Sequence, residues 1–219
     1  MSIAHDIHAA PVAAHGDDHG GEHASHNLAA PEHTSTGLDS RKLLMWVFLA
    51  SDCMFFGSLI GTFMVYKGRS TVGPSPHEIF DIPYTSVSAF VLLMSSLTMV
   101  LALAAIQRND HVRLRIWLIT TALLGLVFIG GQYYEFTVFY EEGLTLKHSL
   151  FGSSFFTLTG FHGAHVTLGI FWLLYLAAGS FTNRLVSGDK ALWVEIAGLY
   201  WHFVDIVWIV IFTVVYLLP

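Results

Sequence analysis

The chain has 219 residues, of which 54% are apolar and only 12% charged, with a net charge of −6 and a mean hydropathy of +0.59. Soluble domains carry about 25% charged residues, so this composition excludes an ordinary soluble enzyme. The sequence has no basic patch of the kind that binds nucleic acid, and its single cysteine, Cys53, excludes a disulfide framework.

Residues 1–40 hold seven histidines and six Asp or Glu, with no Lys or Arg. A segment this polar buries too little apolar surface to offset its ordering entropy, so a disordered tail is expected. His15, His19, His23 and His26 are spaced four, four and three apart. A transient helix would align them for a metal, and a solvated chain would leave them a mild buffer. The tail lacks the basic start and apolar core of a signal peptide, so the first apolar helix is expected to direct its own insertion.

The remainder, residues 41–219, reads as a five-helix transmembrane bundle, an all-α polytopic membrane protein. Apolar segments cover about residues 42–66, 83–106, 115–140, 152–179 and 192–218. Each reaches the ~20 residues that cross a ~30 Å hydrocarbon core. They are expected to be helices because lipid offers no partner to free backbone groups. Links are short: a proline-bearing loop with Pro74 and Pro76, a basic turn over residues 107–114, and two more over 141–151 and 180–191. With the N-terminus inside, seven Lys and Arg (Arg41, Lys42, Arg108, Arg113, Arg115, Arg184, Lys190) face inward. Three (Lys67, Arg69, Lys147) face outward, which places the N-terminus in the cytoplasm and the C-terminus on the periplasmic side. Tyr66, Tyr84, Tyr140, Trp193 and Tyr216 fall near helix ends, where amphipathic rings favour the interface.

Ionisable residues inside such helices are costly and mark protein interiors or water paths. Helix 1 carries Asp52, about 14 Å deep. It could be a proton-active carboxylate, a contact to a partner, or one end of a helix–helix hydrogen bond. Gly57 and Gly61 on the same helix form a face for close helix approach. Helix 3 carries Gln132-Tyr133-Tyr134-Glu135, with Glu135 roughly 30 Å up, where lipid or interface contact is expected. Helix 4 carries His162 and His165 on one face among small residues. They suit metal ligation or buried hydrogen bonding, but a closed metal site needs three or four ligands. Helix 5 carries Glu195, His202 and Asp205 within about 80° of one another, in Tyr200-Trp201-His202-Phe203-Val204-Asp205-Ile206-Val207-Trp208. His202 lies about 15 Å deep. Asp52, His202 and His165 could therefore share one layer near mid-membrane, with His162 and Asp205 extending a buried polar seam.

Four strings in order, residues 46–57 (WVFLASDCMFFG), 132–135 (QYYE), 154–169 (SFFTLTGFHGAHVTLG) and 200–208 (YWHFVDIVW), resemble subunit III of the haem–copper terminal oxidases. The resemblance covers about residue 41 to the end and fits the five-helix bacterial form. Where the seven-helix form often has Glu, this chain has Asp52, one methylene shorter. The resemblance implies a chain without cofactor of its own. Haem and copper would lie in partner subunits I and II, in the bacterial plasma membrane. It implies support of subunit I's proton supply and durability, aided by bound phospholipid. Asp52, His162, His165, His202 and Asp205 are the candidate supports. Glu135, Trp201 and Trp208 are the candidate lipid or interface contacts. The QYYE string is more like the branch that oxidises cytochrome c, whereas the His-rich tail and five helices also suit the quinol branch.

Two other readings compete: a stand-alone membrane metalloenzyme using His162, His165, His202 and Asp205, and a metal-ion transporter whose tail gathers the ion. Under the oxidase reading, seven imidazoles with pKa values near ~6.5 would form a proton-collecting fringe on the uptake side. Deleting residues 2–38 is then expected to slow turnover at mildly alkaline pH. Unchanged turnover and unchanged proton pumping would refute that role.

Overall fold

The computed structural model describes residues 39–67, 82–141, 150–181 and 190–218. The histidine-bearing tail, residues 1–38, and the links holding Pro74, Pro76, Lys147 and Arg184 lie outside the described residues. Five helices are long and apolar enough to cross a membrane: α1 (Ser40–Lys67), α2 (Ile82–Gln107), α3 (His111–Glu141), α4 (Leu150–Phe181) and α5 (Lys190–Phe212). A π-helical turn, Thr213–Leu217, continues α5.

Local chemistry sets the helix ends. Asp39 Oδ1 accepts the Arg41 backbone N–H at 2.9 Å and caps α1. Pro83 stands in the first turn of α2, where a missing N–H costs nothing. The turn between α2 and α3 is much tighter than the expected span of 107–114. Asn109 takes φ 56°, a left-handed conformation that Asn tolerates. That bend lets the Asp110 N–H reach Ala105 O and the Asn109 N–H reach Ile106 O, both at 3.0 Å, closing α2 with a Schellman motif. Asp110 Oδ1 then accepts the Arg113 N–H at 3.1 Å and starts α3 at once. The capping residues lie inside the basic turn, so the hydrophobic pattern alone began this helix four residues late.

Helices α4 and α5 each pack against three others, α5 against α1, α2 and α4 and α4 against α1, α3 and α5, while α2 runs along α3. Helix α1 is peripheral. It buries Met45, Leu49, Phe56 and Phe63, with Leu59 and Ile60 partly covered, on a single stripe of alternating four- and three-residue steps. Asp52 falls on that stripe. The rest of α1 is exposed, including Trp46, Val47 and Met54, as lipid-facing residues should be. Gly57 and Gly61 do not serve close packing within the described chain: a Cβ added to either would meet nothing within 4 Å.

Close helix approach occurs instead around Trp201, 1% exposed. A Cβ on Gly125 of α3 would lie 2.8 Å from Trp201 Cη2, and one on Gly169 of α4 would lie 2.9 Å from Cζ3. On its third side the indole Nε1–H donates to Ser95 Oγ of α2 at 2.9 Å. One side chain of α5 thus fills the space between three neighbours. At the inner end, Lys42 of α1 pairs with Glu195 of α5. Arg115 of α3 donates to Ser180 O of α4 at 2.6 Å.

Gly169→Ala and Gly125→Ala are each expected to lower stability by about 1–3 kcal/mol, because a rigid indole has nowhere to move. Gly57→Ala should not lower it. Thermal unfolding of the chain in detergent reads the difference.

Candidate functional site

Asp52 of α1 and His165 of α4 meet between these two helices, with His165 Nε2 3.6 Å from Asp52 Oδ2. Their side chains are 13% and 17% exposed, so the pair lies at the edge of the bundle within reach of a neighbour. His165 Nδ1 lies 2.7 Å from Phe161 O. A carbonyl can only accept, so Nδ1 carries a proton. Nε2 is then left facing Asp52 Oδ2 across 3.6 Å, and Oδ2 makes no hydrogen bond among the described residues. Phe55 and Phe56 wall the imidazole at centroid distances of 6.4 and 5.0 Å.

The string at 200–208 does not form one seam with this pair. Successive residues of a helix point about 100° apart, and α5 has neighbours on several sides. Tyr200 donates to His165 O of α4 at 3.0 Å. Trp201 reaches Ser95 of α2, and His202 Nδ1 lies 2.6 Å from Ser96 Oγ, also on α2. Asp205 is 3% exposed and lies on the same side, beside Ser96. His202 therefore joins Asp205 at the α2–α5 contact and not Asp52 in a shared layer. Glu195, expected on the same face, is committed to Lys42 at the inner end.

His162 is wholly buried. Its ring stacks on Trp208 with centroids 5.0 Å apart and an interplanar angle of 25°. The edge of Phe128 lies 6.0 Å away. Among the described residues, neither ring nitrogen of His162 has a hydrogen-bond partner, nor has Trp208 Nε1. The expected pair of hydrogen-bonded histidines thus divides: His165 is bonded and paired, while His162 is held by aromatic contacts.

Three expectations of lipid or interface contact need correction. Trp201 and Trp208 are each 1% exposed and Glu135 is 7% exposed, all inside the chain. Glu135 Oε1 accepts Thr85 Oγ1–H of α2 at 2.7 Å and the Tyr216 hydroxyl at 3.1 Å. Height along a helix does not say which way a residue points. Tyr216, expected at the membrane interface, is 4% exposed, and it sits in the π-helical turn, where the extra residue in the turn re-aims side chains. Sequence reasoning missed Thr85, Ser95, Ser96 and Gly125. Small and hydroxylic residues at helix spacing were the available signal, and they are too common in membrane helices to single out.

The four residues of the metalloenzyme alternative do not converge. Among the described residues, no group of three His, Cys, Asp or Glu side chains is placed to hold a metal ion. What the arrangement can do is hold protons on Asp52 and His165 and lock α5 to its neighbours.

Comparison with known proteins agrees with this layout. The family described as Cytochrome c oxidase subunit III matches residues 24–218. Cytochrome c oxidase subunit 3 of Bacillus sp. (strain PS3) is 39% identical over 191 residues, covering 87% of this chain and 92% of the relative. Quinol oxidase subunit 3 of Bacillus subtilis (strain 168) is 39% identical over 199 residues, covering 90% and 97%. Cytochrome bo(3) ubiquinol oxidase subunit 3 of Pseudomonas aeruginosa is 41% identical over 173 residues, covering 79% and 82%. With five membrane-crossing helices and the four motif strings placed within them, the chain belongs to the subunit III family of the haem–copper oxidases, as a multi-pass protein of the bacterial plasma membrane.

Proposed function

We propose that this chain is the non-redox subunit of a proton-pumping oxidase that reduces O2 to water, that it packs against subunits I and II, and that it helps supply protons to subunit I. Electrons come from cytochrome c, and the exposed apolar faces hold phospholipid. The observation that carries this reading is the Asp52–His165 pair. Asp52 stands within one turn of the middle of the 28-residue helix α1, where an ionisable group is costly and is retained for a role. The pair sits on the thinly covered α1 side of the bundle, where a neighbouring subunit would seal it from lipid. A proton passed between Nε2 and Oδ2 as they close from 3.6 Å would leave no lone charge in hydrocarbon. The haem and copper of the partner subunits carry the redox chemistry.

One observation favours a second reading of the donor. Relatives named as quinol oxidase subunits match at the same identity as those named as cytochrome c oxidase subunits. Oxygen consumption by the purified complex with reduced cytochrome c, and separately with a short-tailed quinol, decides between them. Turnover with cytochrome c is expected, and turnover with quinol alone would replace that assignment.

Asp52→Asn is expected to preserve assembly while lowering the protons pumped per electron, read as acidification outside reconstituted vesicles. Asp52→Glu should restore pumping. Asp52→Leu strands the His165 ring nitrogen and is expected to cost about 1–3 kcal/mol, read as loss of this chain from the complex on heating. Normal pumping in Asp52→Asn would remove the proton-supply role.

A further inference from the structure

Between α3 and α4 the surface carries a groove of about 160 Å³ that includes Gln132, Tyr133, Phe136, Thr159, Gly160 and Gly163 in its lining. It lies apart from the Asp52–His165 pair, and nothing above uses it. Gln132 is 5% exposed, yet among the described residues neither its amide nitrogen nor its amide oxygen has a hydrogen-bond partner. A buried amide without partners costs free energy comparable to the bonds it lacks. The groove is where those partners can come from.

We propose that this groove binds the ring of a quinone or quinol dissolved in the membrane, held by the Gln132 amide. The glycines shape the wall. A Cβ on Gly160 would meet nothing within 4 Å, so that side is open. A Cβ on Gly163 would lie 3.7 Å from Gln132 Oε1, so the amide stands directly over this glycine. Phe136 packs edge-on against Phe155 and Phe156, with centroids 6.2 and 5.2 Å away, and is fixed as an aromatic wall. The Thr159 hydroxyl proton is committed to Phe155 O at 2.7 Å. The Thr167 proton is likewise committed to Gly163 O at 2.8 Å. The amide therefore keeps an uncommitted donor and an uncommitted acceptor just beneath the groove wall, and a turn of the side chain presents them to an occupant.

Depth and chemistry choose the occupant. Gln132 lies nine residues from the end of α3 at Glu141, about 14 Å along the axis. Helix α3 is about 46 Å long against a hydrocarbon core of ~30 Å, which puts Gln132 inside the hydrocarbon. An acyl chain there leaves both amide groups unpaired. A phospholipid ester carbonyl belongs at the interface above. A quinone carbonyl accepts from Nε2–H, and the hydroxyl of its reduced form donates to Oε1. The flat ring fits a glycine floor beside an aromatic wall, and its isoprenoid tail stays in lipid. Binding alone is proposed, with no electron transfer, and it stands whichever donor feeds the complex.

The test uses the intact oxidase complex in phospholipid nanodiscs. A short-tailed azido-ubiquinone is photolysed with it, and the labelled peptides are mapped by mass spectrometry. Adducts are expected within residues 129–136 and 159–167, displaced by excess decylubiquinone. Labelling should fall about tenfold in Gln132→Leu, the size of one lost hydrogen bond. It should also fall in Gly160→Leu, which fills the groove without an internal clash. Adducts only on other segments, or labelling undiminished in both variants, would overturn the proposal. So would labelling of these segments by a photoreactive phospholipid that decylubiquinone does not displace. If a variant does not assemble, competition in the native complex decides alone: no displacement refutes the site.

Discussion

The bundle depends on Trp201. In lipid, apolar surface gains nothing by leaving one apolar neighbour for another, so helices associate through close packing and hydrogen bonds. Trp201 supplies both. Its ring lies on the bare backbone at Gly125 and Gly169, and its Nε1–H reaches Ser95. The side chain belongs to α5 and its contacts belong to α2, α3 and α4. Once it is seated, α5 is central and α1 is left to cover the side that remains.

The polar residues follow from that central position. A helix with neighbours on several sides needs a different partner in each direction, and consecutive residues 100° apart provide them. Tyr200 bonds to α4, Trp201 and His202 bond to α2, and Trp208 stacks on His162 of α4. The density of aromatic and ionisable residues over 200–208 thus reflects how many helices α5 must hold. Asp52 and His165 lie outside this set of contacts, at the α1–α4 edge.

The outer end is organised differently. Glu135 gathers Thr85 of α2 and Tyr216 of the last turn, while Lys67 of α1 donates to Val214 O at 3.4 Å and Leu218 O at 2.5 Å. Lys67 thus reaches backbone carbonyls at the π-helical turn and just beyond it. Together with Lys42–Glu195 at the other end, charged side chains tie α1 to α5 near both membrane faces, and the middle is left to packing.

Length, charge distribution and hydrophobic runs by themselves determined five membrane-crossing helices, because hydrocarbon permits few alternatives to a helix of about 20 apolar residues. The ordered motif strings determined the family. The sequence also marked Asp52, His162, His165, His202 and Asp205 as buried or partly buried, since ionisable groups in lipid are rarely placed without reason. Only the tertiary structure decided which of them meet. Position along a helix is additive and can be counted from sequence. Direction depends on which face each neighbour covers, and that is set by contacts between helices far apart in sequence. For that reason Asp52 found His165 and not His202, Glu135 and Tyr216 turned inward together, and Trp201 and Trp208 became core.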